Sequence, residues 1–222
     1  NVFKYYNRLI EWSGNRYFVI KTGETSKSIE TYAKIMKNLE YADRIIGFGG
    51  GVVADLAGFI ASTYKRGIPL IQIPTTLLAM VDASIGGKNG VNLDKKKNYI
   101  GTIYQPESVF IDPLFLETLP SEEFKNGVAE IIKYAMIFNK LLLRKLEKKL
   151  NLEDEDLERV IAHCCKIKAR VVELDEQDKR YRHTLNFGHT IGHALELLYH
   201  LKHGEAISIG MSKEAKLGQK LG

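Results

Sequence analysis

The densest chemistry in the chain is His189-Thr190-Ile191-Gly192-His193, followed by His203-Gly204-Glu205. Two imidazoles four residues apart project from one face of a helix, so both reach a common ion or substrate. Four of the six histidines, His189, His193, His200 and His203, fall within the fifteen residues 189–203. Neutral imidazole nitrogen suits zinc, and a catalytic zinc commonly takes three protein ligands and keeps a position open. A further candidate is Glu130, an acid among apolar residues in Gly127-Val128-Ala129-Glu130-Ile131-Ile132-Lys133-Tyr134. A carboxylate buried by such a helix needs a partner, and a metal is one available partner. Singly, each histidine also reads as a satisfied core residue and Glu130 as half of an ion pair; their conjunction points to a metal.

Two glycine-rich segments carry a second chemistry. Gly47-Phe48-Gly49-Gly50-Gly51-Val52-Val53-Ala54-Asp55 lies between strand and helix patterns, where backbone amides and a helix N-terminus can hold a diphosphate. It departs from the dinucleotide fingerprint, because Val52 stands where the third glycine belongs. A tight or closely packed turn is the alternative reading. Asp82-Ala83-Ser84-Ile85-Gly86-Gly87-Lys88-Asn89-Gly90 reads as one polar loop, followed by Lys95, Lys96, Lys97 and Asn98; such a loop suits an anion. Arg66, Lys88, Lys133, Lys168 and Arg182 add groups that grip phosphate or carboxylate, although each also fits a surface ion pair.

Positioning these groups takes a sizeable fold. A chain of 222 residues buries roughly 70% of its unfolded surface and suggests one or two domains. Hydrophobic content of 45% with 27% charged residues excludes disorder and low-complexity classes. The two cysteines, Cys164 and Cys165, are adjacent and cannot staple a scaffold, which fits a reducing cytoplasmic setting. No uncharged apolar window is long enough for a membrane span, and Asn1-Val2-Phe3-Lys4 lacks the features of a signal peptide. The net charge of +5 admits nucleic acid, a membrane surface or an anionic substrate, yet no zinc-finger spacing or aromatic RNA-binding stripe occurs.

From Arg16 to about Asp112, β-rich runs at Tyr17–Ile20, Arg44–Phe48, Ile68–Ile73 and Ser108–Ile111 alternate with helical periods at Ile29–Leu39 and Val52–Tyr64. That is the pattern of parallel strands joined by helices. After Asp112-Pro113 the chain reads as all-helical. Pro120-Ser121-Glu122-Glu123 opens a series predicted at Ser121–Phe138, Lys140–Lys149, Glu153–Leu174, Thr184–Leu198 and Gly204–Lys220. The charged run Lys145–Glu158 reads as solvated helix faces and their junction. The expected domains are 1–117, an α/β unit, and 118–222, a helical unit. The non-Met start and unfinished last helix suggest sequence missing at both ends.

Together these residues resemble the 3-dehydroquinate synthase family along nearly the whole chain. The resemblance rests on Gly49-Gly50-Gly51-Val52 with Asp55, Arg66-Gly67, Pro74-Thr75-Thr76-Leu77-Leu78, Asp82 through Lys88, Lys97-Asn98, Asn126 through Lys133, and Leu185-Asn186-Phe187-Gly188-His189 through His203-Gly204-Glu205. Ala83, Asn89 and Asp178 replace the serine, threonine and glutamate usual in the family. The resemblance implies a Rossmann-like NAD-binding α/β domain followed by an all-helical metal-binding domain, in a cytoplasmic homodimer. It assigns the metal, usually zinc with cobalt as an alternative, to Glu130, His189 and His203, with His193 nearby but outside the ligand set. Glu24, Lys27, Gly50, Gly51, Val52, Asp55, Thr75, Thr76, Leu78 and Asp82 fall on the NAD side. Lys88, Asn98, Lys133, Lys168, Arg182 and Asn186 face the substrate, while Lys97 touches both regions. Arg66 reaches a partner subunit's site.

The implied reaction converts 3-deoxy-arabino-heptulosonate 7-phosphate to 3-dehydroquinate and phosphate, through transient oxidation by NAD, phosphate elimination, reduction and aldol closure. A related sugar phosphate cyclase and a metal-dependent polyol or glycerol phosphate dehydrogenase are the alternatives, since fold alone does not separate them. A basic nucleic-acid-binding module is a remote one. A small anionic sugar phosphate is therefore the expected partner, with neither nucleic acid nor membrane.

Overall fold

Parallel neighbouring strands cannot be joined by a tight turn, so the α/β half needs a crossover helix between its first two strands. The computed structural model supplies it. The structure describes residues 7, 11, 13, 16–94, 96–148 and 154–221. It divides into two units, Asn1–Leu119 and Pro120–Gly222, with the division two residues beyond the expected one.

In the first unit, helix α1 (Ile29–Asn38) starts at Ser28, whose hydroxyl accepts the Thr31 N–H at 3.2 Å. Strand β1 (Ile45–Gly49) leads into α2 (Gly51–Thr63) and then β2 (Leu70–Pro74), which pairs parallel to β1 with Phe48 opposite Ile73. Strand β5 (Ser108–Val109) completes a sheet of order β1-β2-β5. Helix α2 is apolar nearly all round because it is covered on several sides. Leu56, Phe59 and Ile60 pack with Ile35 and Val91, while Ala57 and Ala61 pack with Leu70.

Two expectations fail in this unit. Tyr17-Phe18-Val19-Ile20 joins no sheet among the described residues, and Val19 is 73% exposed. The segment read as one polar loop is a π-helical turn at Ala79–Ala83 followed by an antiparallel hairpin of β3 (Lys88–Leu93) and β4 (Lys96–Ile103). Glycine, lysine and asparagine are poor strand formers, which hid the hairpin. Space accounts for the hairpin glycines: a Cβ at Gly101 would lie 2.3 Å from the Asn89 carbonyl oxygen, and one at Gly90 2.8 Å from the Ile100 carbonyl oxygen.

The second unit is helical: α3 (Ser121–Phe138), α4 (Lys140–Lys148), α5 (Asp154–Leu174), α6 (His189–Tyr199) and α7 (His203–Leu221). Its core includes Ile131, Tyr134, Ala135, Cys164, Ala206 and Ile207, all fully buried. The middle of the charged run read as a helix junction, residues 149–153, lies outside the described residues. The helix expected from Thr184 to Leu198 is two elements instead, a 3-10 turn at Tyr181–Asn186 and then α6. Gly188 separates them at φ 81°, a left-handed conformation that interrupts an α-helix and favours glycine. No helix among the described residues is long and apolar enough to cross a membrane.

Helices α6 and α7 approach so closely that their backbones touch. A Cβ at Gly210 would stand 2.0 Å from the Gly188 carbonyl oxygen, and one at Gly192 would stand 2.6 Å from Ile207 Cδ1. Gly210→Ala, whose new methyl meets backbone that cannot rotate away, should destabilise this unit by about 2 kcal/mol or more. Denaturant unfolding followed by circular dichroism checks this, against Gly218→Ala, where a Cβ meets nothing within 4 Å.

Candidate functional site

Glu130 sits on the buried face of α3 with 0% exposure, and the first residues of α6 and α7, His189 and His203, bring their rings to it. His203 Nε2 lies 3.3 Å from Glu130 Oε1, and His189 Nε2 lies 3.5 Å from the same oxygen. One ligand atom from each residue falls within 4.8 Å of the others. The outer nitrogens are engaged as well. His189 Nδ1 faces the Phe187 carbonyl oxygen at 3.2 Å, and His203 Nδ1 faces Glu196 Oε1 at 2.7 Å. Those acceptors take the Nδ1 protons and leave both Nε2 atoms directed inward, the usual arrangement around metal-bound histidines. One carboxylate and two imidazoles fit a divalent transition metal. His193 is exposed; its ring stacks edge-on to His189 at 5.2 Å, outside the three-residue group.

The same cluster is polarised. Burial pulls the His203 pKa down, but hydrogen bonds and charge from Glu130 and Glu196 reverse this and raise it to about 9. For His189, burial wins over the attraction of Glu130 and lowers the pKa, so this ring is neutral near neutrality. Lys133, 2% exposed, is ion-paired with Glu130 Oε2. A site that draws a proton onto an imidazole between two carboxylates is built for positive charge.

Three further residues fix these elements, and sequence reasoning assigned none of them to the site. Asn126, one turn before Glu130 on α3, accepts the Gly204 N–H through Oδ1 at 2.8 Å and so ties α3 to the start of α7. Glu214 on α7 accepts the Gly188 N–H at 2.7 Å and the Ile191 N–H at 3.4 Å, which holds the start of α6. Glu196 holds His203. Its spacing was the available signal, because seven residues after His189 and three after His193 is the ligand-bearing face of the same helix.

The helical unit also buries cations at a cost in desolvation. Lys168 is 6% exposed and Arg182 3%, and Arg182 Nη1 donates to the Glu176 carbonyl oxygen at 3.0 Å. The loop around Arg182 is held by Asp175, whose carboxylate accepts N–H groups from Lys179 (2.9 Å), Arg180 (2.6 Å) and Arg182 (3.1 Å). These bonds pull the Asp175 carboxyl down to about 2. Asn186, at the end of the 3-10 turn before α6, is exposed.

In the first unit, the glycine turn leads into α2, with Gly50 at the N-cap and Gly51 first in the helix. None of its glycines needs a positive φ. Close packing explains several: a Cβ would lie 2.4 Å from Gln72 Oε1 at Gly47, 2.7 Å from Val53 Cγ2 at Gly49 and 2.9 Å from Thr76 Cγ2 at Gly50. Among these four only Gly51 has room, since its Cβ would meet Ala83 Cβ at 3.4 Å, an ordinary contact. Thr75 donates its N–H to the Gly49 carbonyl at 2.9 Å, next to Thr76; Leu78 and Asp82 follow into and along the π-helical turn. Three assigned residues form one ion cluster, with Lys27 Nζ 2.9 Å from Asp55 Oδ2 and 3.2 Å from Glu24 Oε1. Burial lowers the Lys27 pKa, yet Asp55 and Glu24 outweigh it and raise the value. Asn92, which sequence reasoning also missed, donates to Glu24 Oε1 at 3.0 Å and accepts the Asn98 N–H at 2.8 Å. Lys88, Lys97 and Asn98 are exposed on the hairpin, and Arg66 is exposed at φ 70° after α2.

A family model described as "3-dehydroquinate synthase N-terminal" matches residues 17–126, and one described as "3-dehydroquinate synthase C-terminal" matches residues 127–222. The 3-dehydroquinate synthase of Caldanaerobacter subterraneus is 47% identical, over 100% of this chain and 67% of its own length. That of Crocosphaera subtropica is 44% identical, over 100% of this chain and 66% of its own length. The Clostridium perfringens protein is 49% identical, over 90% of this chain and 60% of its own length. The chain thus spans roughly three-fifths to two-thirds of the curated relatives it matches. Among solved structures, a 2-deoxy-scyllo-inosose synthase is similar at TM-score 0.82 and 33% identity, covering 90% of this chain and 59% of that one. The 2-epi-5-epi-valiolone synthase of Streptomyces hygroscopicus, solved with NAD+ and Zn2+ bound, has TM-score 0.81 and 33% identity, over 87% and 57% of the two chains. An iron-containing alcohol dehydrogenase from Thermotoga maritima, 16% identical with TM-score 0.61 over 90% and 63%, shares the fold.

The Asp175 clamp gives a pH signature. A carboxyl whose folded pKa is depressed stabilises the fold above its ordinary value of 3.8, and that contribution disappears as the pH falls toward about 2. Asp175→Ala should therefore be less stable than wild type at pH 7, with the gap closing as the pH drops from 4 to 2. Denaturant titrations across that range test it, and a gap independent of pH would contradict the clamp.

Proposed function

Because the chain belongs to the 3-dehydroquinate synthase family, we propose that it carries out that family's reaction: 3-deoxy-arabino-heptulosonate 7-phosphate to 3-dehydroquinate and inorganic phosphate, with NAD and a divalent metal, zinc or cobalt. The observation that carries the reading is the meeting of Glu130, His189 and His203 from three helices around one point. Identities of 44–49% to 3-dehydroquinate synthases, against 33% to the other cyclases, favour this reaction over theirs. The dehydrogenase likeness, at 16%, bears on the fold alone.

Glu130, His189 and His203 would hold the divalent ion, which would supply Lewis acidity at a substrate oxygen. Gly50, Gly51, Val52, Thr75 and Thr76, at and beside the start of α2, would hold NAD, which would supply a hydride acceptor. The chain's own groups bind and orient. Lys133 and Lys168 offer point charges and Arg182 a planar fork for phosphate and carboxylate, and burial strengthens each such contact. Lys88, Asn98, Asn186 and His193 belong to the same reading as substrate contacts, and Lys97 lies between substrate and cofactor. Holding a flexible sugar in reactive geometry provides much of the rate in such a reaction. The reading extends to a cytoplasmic homodimer, with Arg66 reaching the partner subunit's site and no role for nucleic acid.

Two measurements test it. Phosphate release from the heptulosonate substrate should require both NAD and metal, stop with chelator, and leave no lasting absorbance at the nicotinamide band; NADH accumulating in step with product would instead assign a dehydrogenase. Elemental analysis should find about one zinc per wild-type chain and a large loss in both Glu130→Ala and His189→Ala. Unchanged zinc in both variants would remove these residues from the site.

A further inference from the structure

We propose that Glu196 is a positioning residue of the metal centre, its carboxylate fixing which nitrogen of His203 faces Glu130 and His189. This deepens the metal reading above and rests on it. An ionised carboxylate only accepts hydrogen bonds, so the 2.7 Å contact between Glu196 Oε1 and His203 Nδ1 puts the proton on Nδ1. Nε2, 3.3 Å from Glu130 Oε1, is then the nitrogen left to ligate. The Glu196 side chain is 8% exposed, so the bond is shielded from competing water.

His203 needs this support more than His189 does. The His189 ring is held by the carbonyl of Phe187 two residues earlier, on its own stretch of chain. His203 opens α7 three residues after His200, which sits at φ 54°, and among the described residues the ring partner found outside the donor cluster is Glu196 on the preceding helix. Helix α6 thus supplies one ligand at its first turn and the carboxylate that orients the other ligand two turns later. A charged acceptor also raises the basicity of the ligating nitrogen more than a carbonyl does, and losing such a partner typically costs 10- to 100-fold in metal affinity.

The test measures Zn2+ affinity of the full chain by competition with a chromophoric chelator at fixed pH, for wild type, Glu196→Gln and Glu196→Leu. Leucine matches the size without an acceptor, and glutamine keeps an acceptor without the charge. The expected result is a loss of about 10- to 100-fold for leucine and a smaller loss for glutamine. In zinc-loaded wild type, long-range nitrogen–proton spectra should show His203 protonated at Nδ1 and ligating through Nε2. That spectrum and the glutamine variant decide the matter if the leucine variant fails to fold. Affinities of both variants within about twofold of wild type, or ligation through Nδ1, would overturn the role of Glu196 alone. A wild-type chain that takes up no zinc would overturn the metal reading together with it.

Discussion

A carboxylate with no exposure to water is the constraint on which the helical unit depends. Glu130 cannot stay ionised inside α3 unless positive or proton-donating groups surround it, and the chain spends Lys133, His189 and His203 on that need. Two of those three come from residues that open helices, so meeting the demand of one side chain fixes where α6 and α7 must start. The glycines between them, the cap from Asn126 and the long-range brace from Glu214 follow from bringing two helix starts to one point.

The α/β unit answers a different constraint. Parallel pairing of β1 and β2 demands α2 between them, and α2 begins where its first amides have no helical partners. The glycines ahead of it serve mainly to let Gln72, Val53 and Thr76 approach the backbone, leaving Gly51 as the one with space. The packing reading of that turn therefore accounts for Gly47, Gly49 and Gly50, and not for Gly51.

Much of this was legible in the sequence, for identifiable reasons. Apolar periodicity located α2, α3, β1 and β2 to within a residue or two, because burial of one face sets that pattern. Glu130 betrayed itself as a charge inside an apolar period. Spacing alone misled at His189 and His193, since four-residue separation predicts a shared face but not which ring finds the ligand cluster; the family resemblance set them apart. The β3–β4 hairpin was hidden by glycines chosen for clearance, and the break at Gly188 by a helical pattern that runs straight through it. Asn126 and Glu214 act on partners 78 and 26 residues away, pairs that no local pattern encodes, whereas Glu196 shared a helix face with His189 and His193.

Where α6 and α7 touch, no side chain lies between Gly210 and the carbonyl of Gly188 to cushion relative motion. Flexible side chains let packed helices slide by fractions of an ångström, whereas bare backbone offers discrete seats about one helical turn apart. A slide of α7 along α6 by one such seat would carry His203 away from both glutamates at once. Donor spacing around Glu130 is in this sense gauged by main chain meeting main chain.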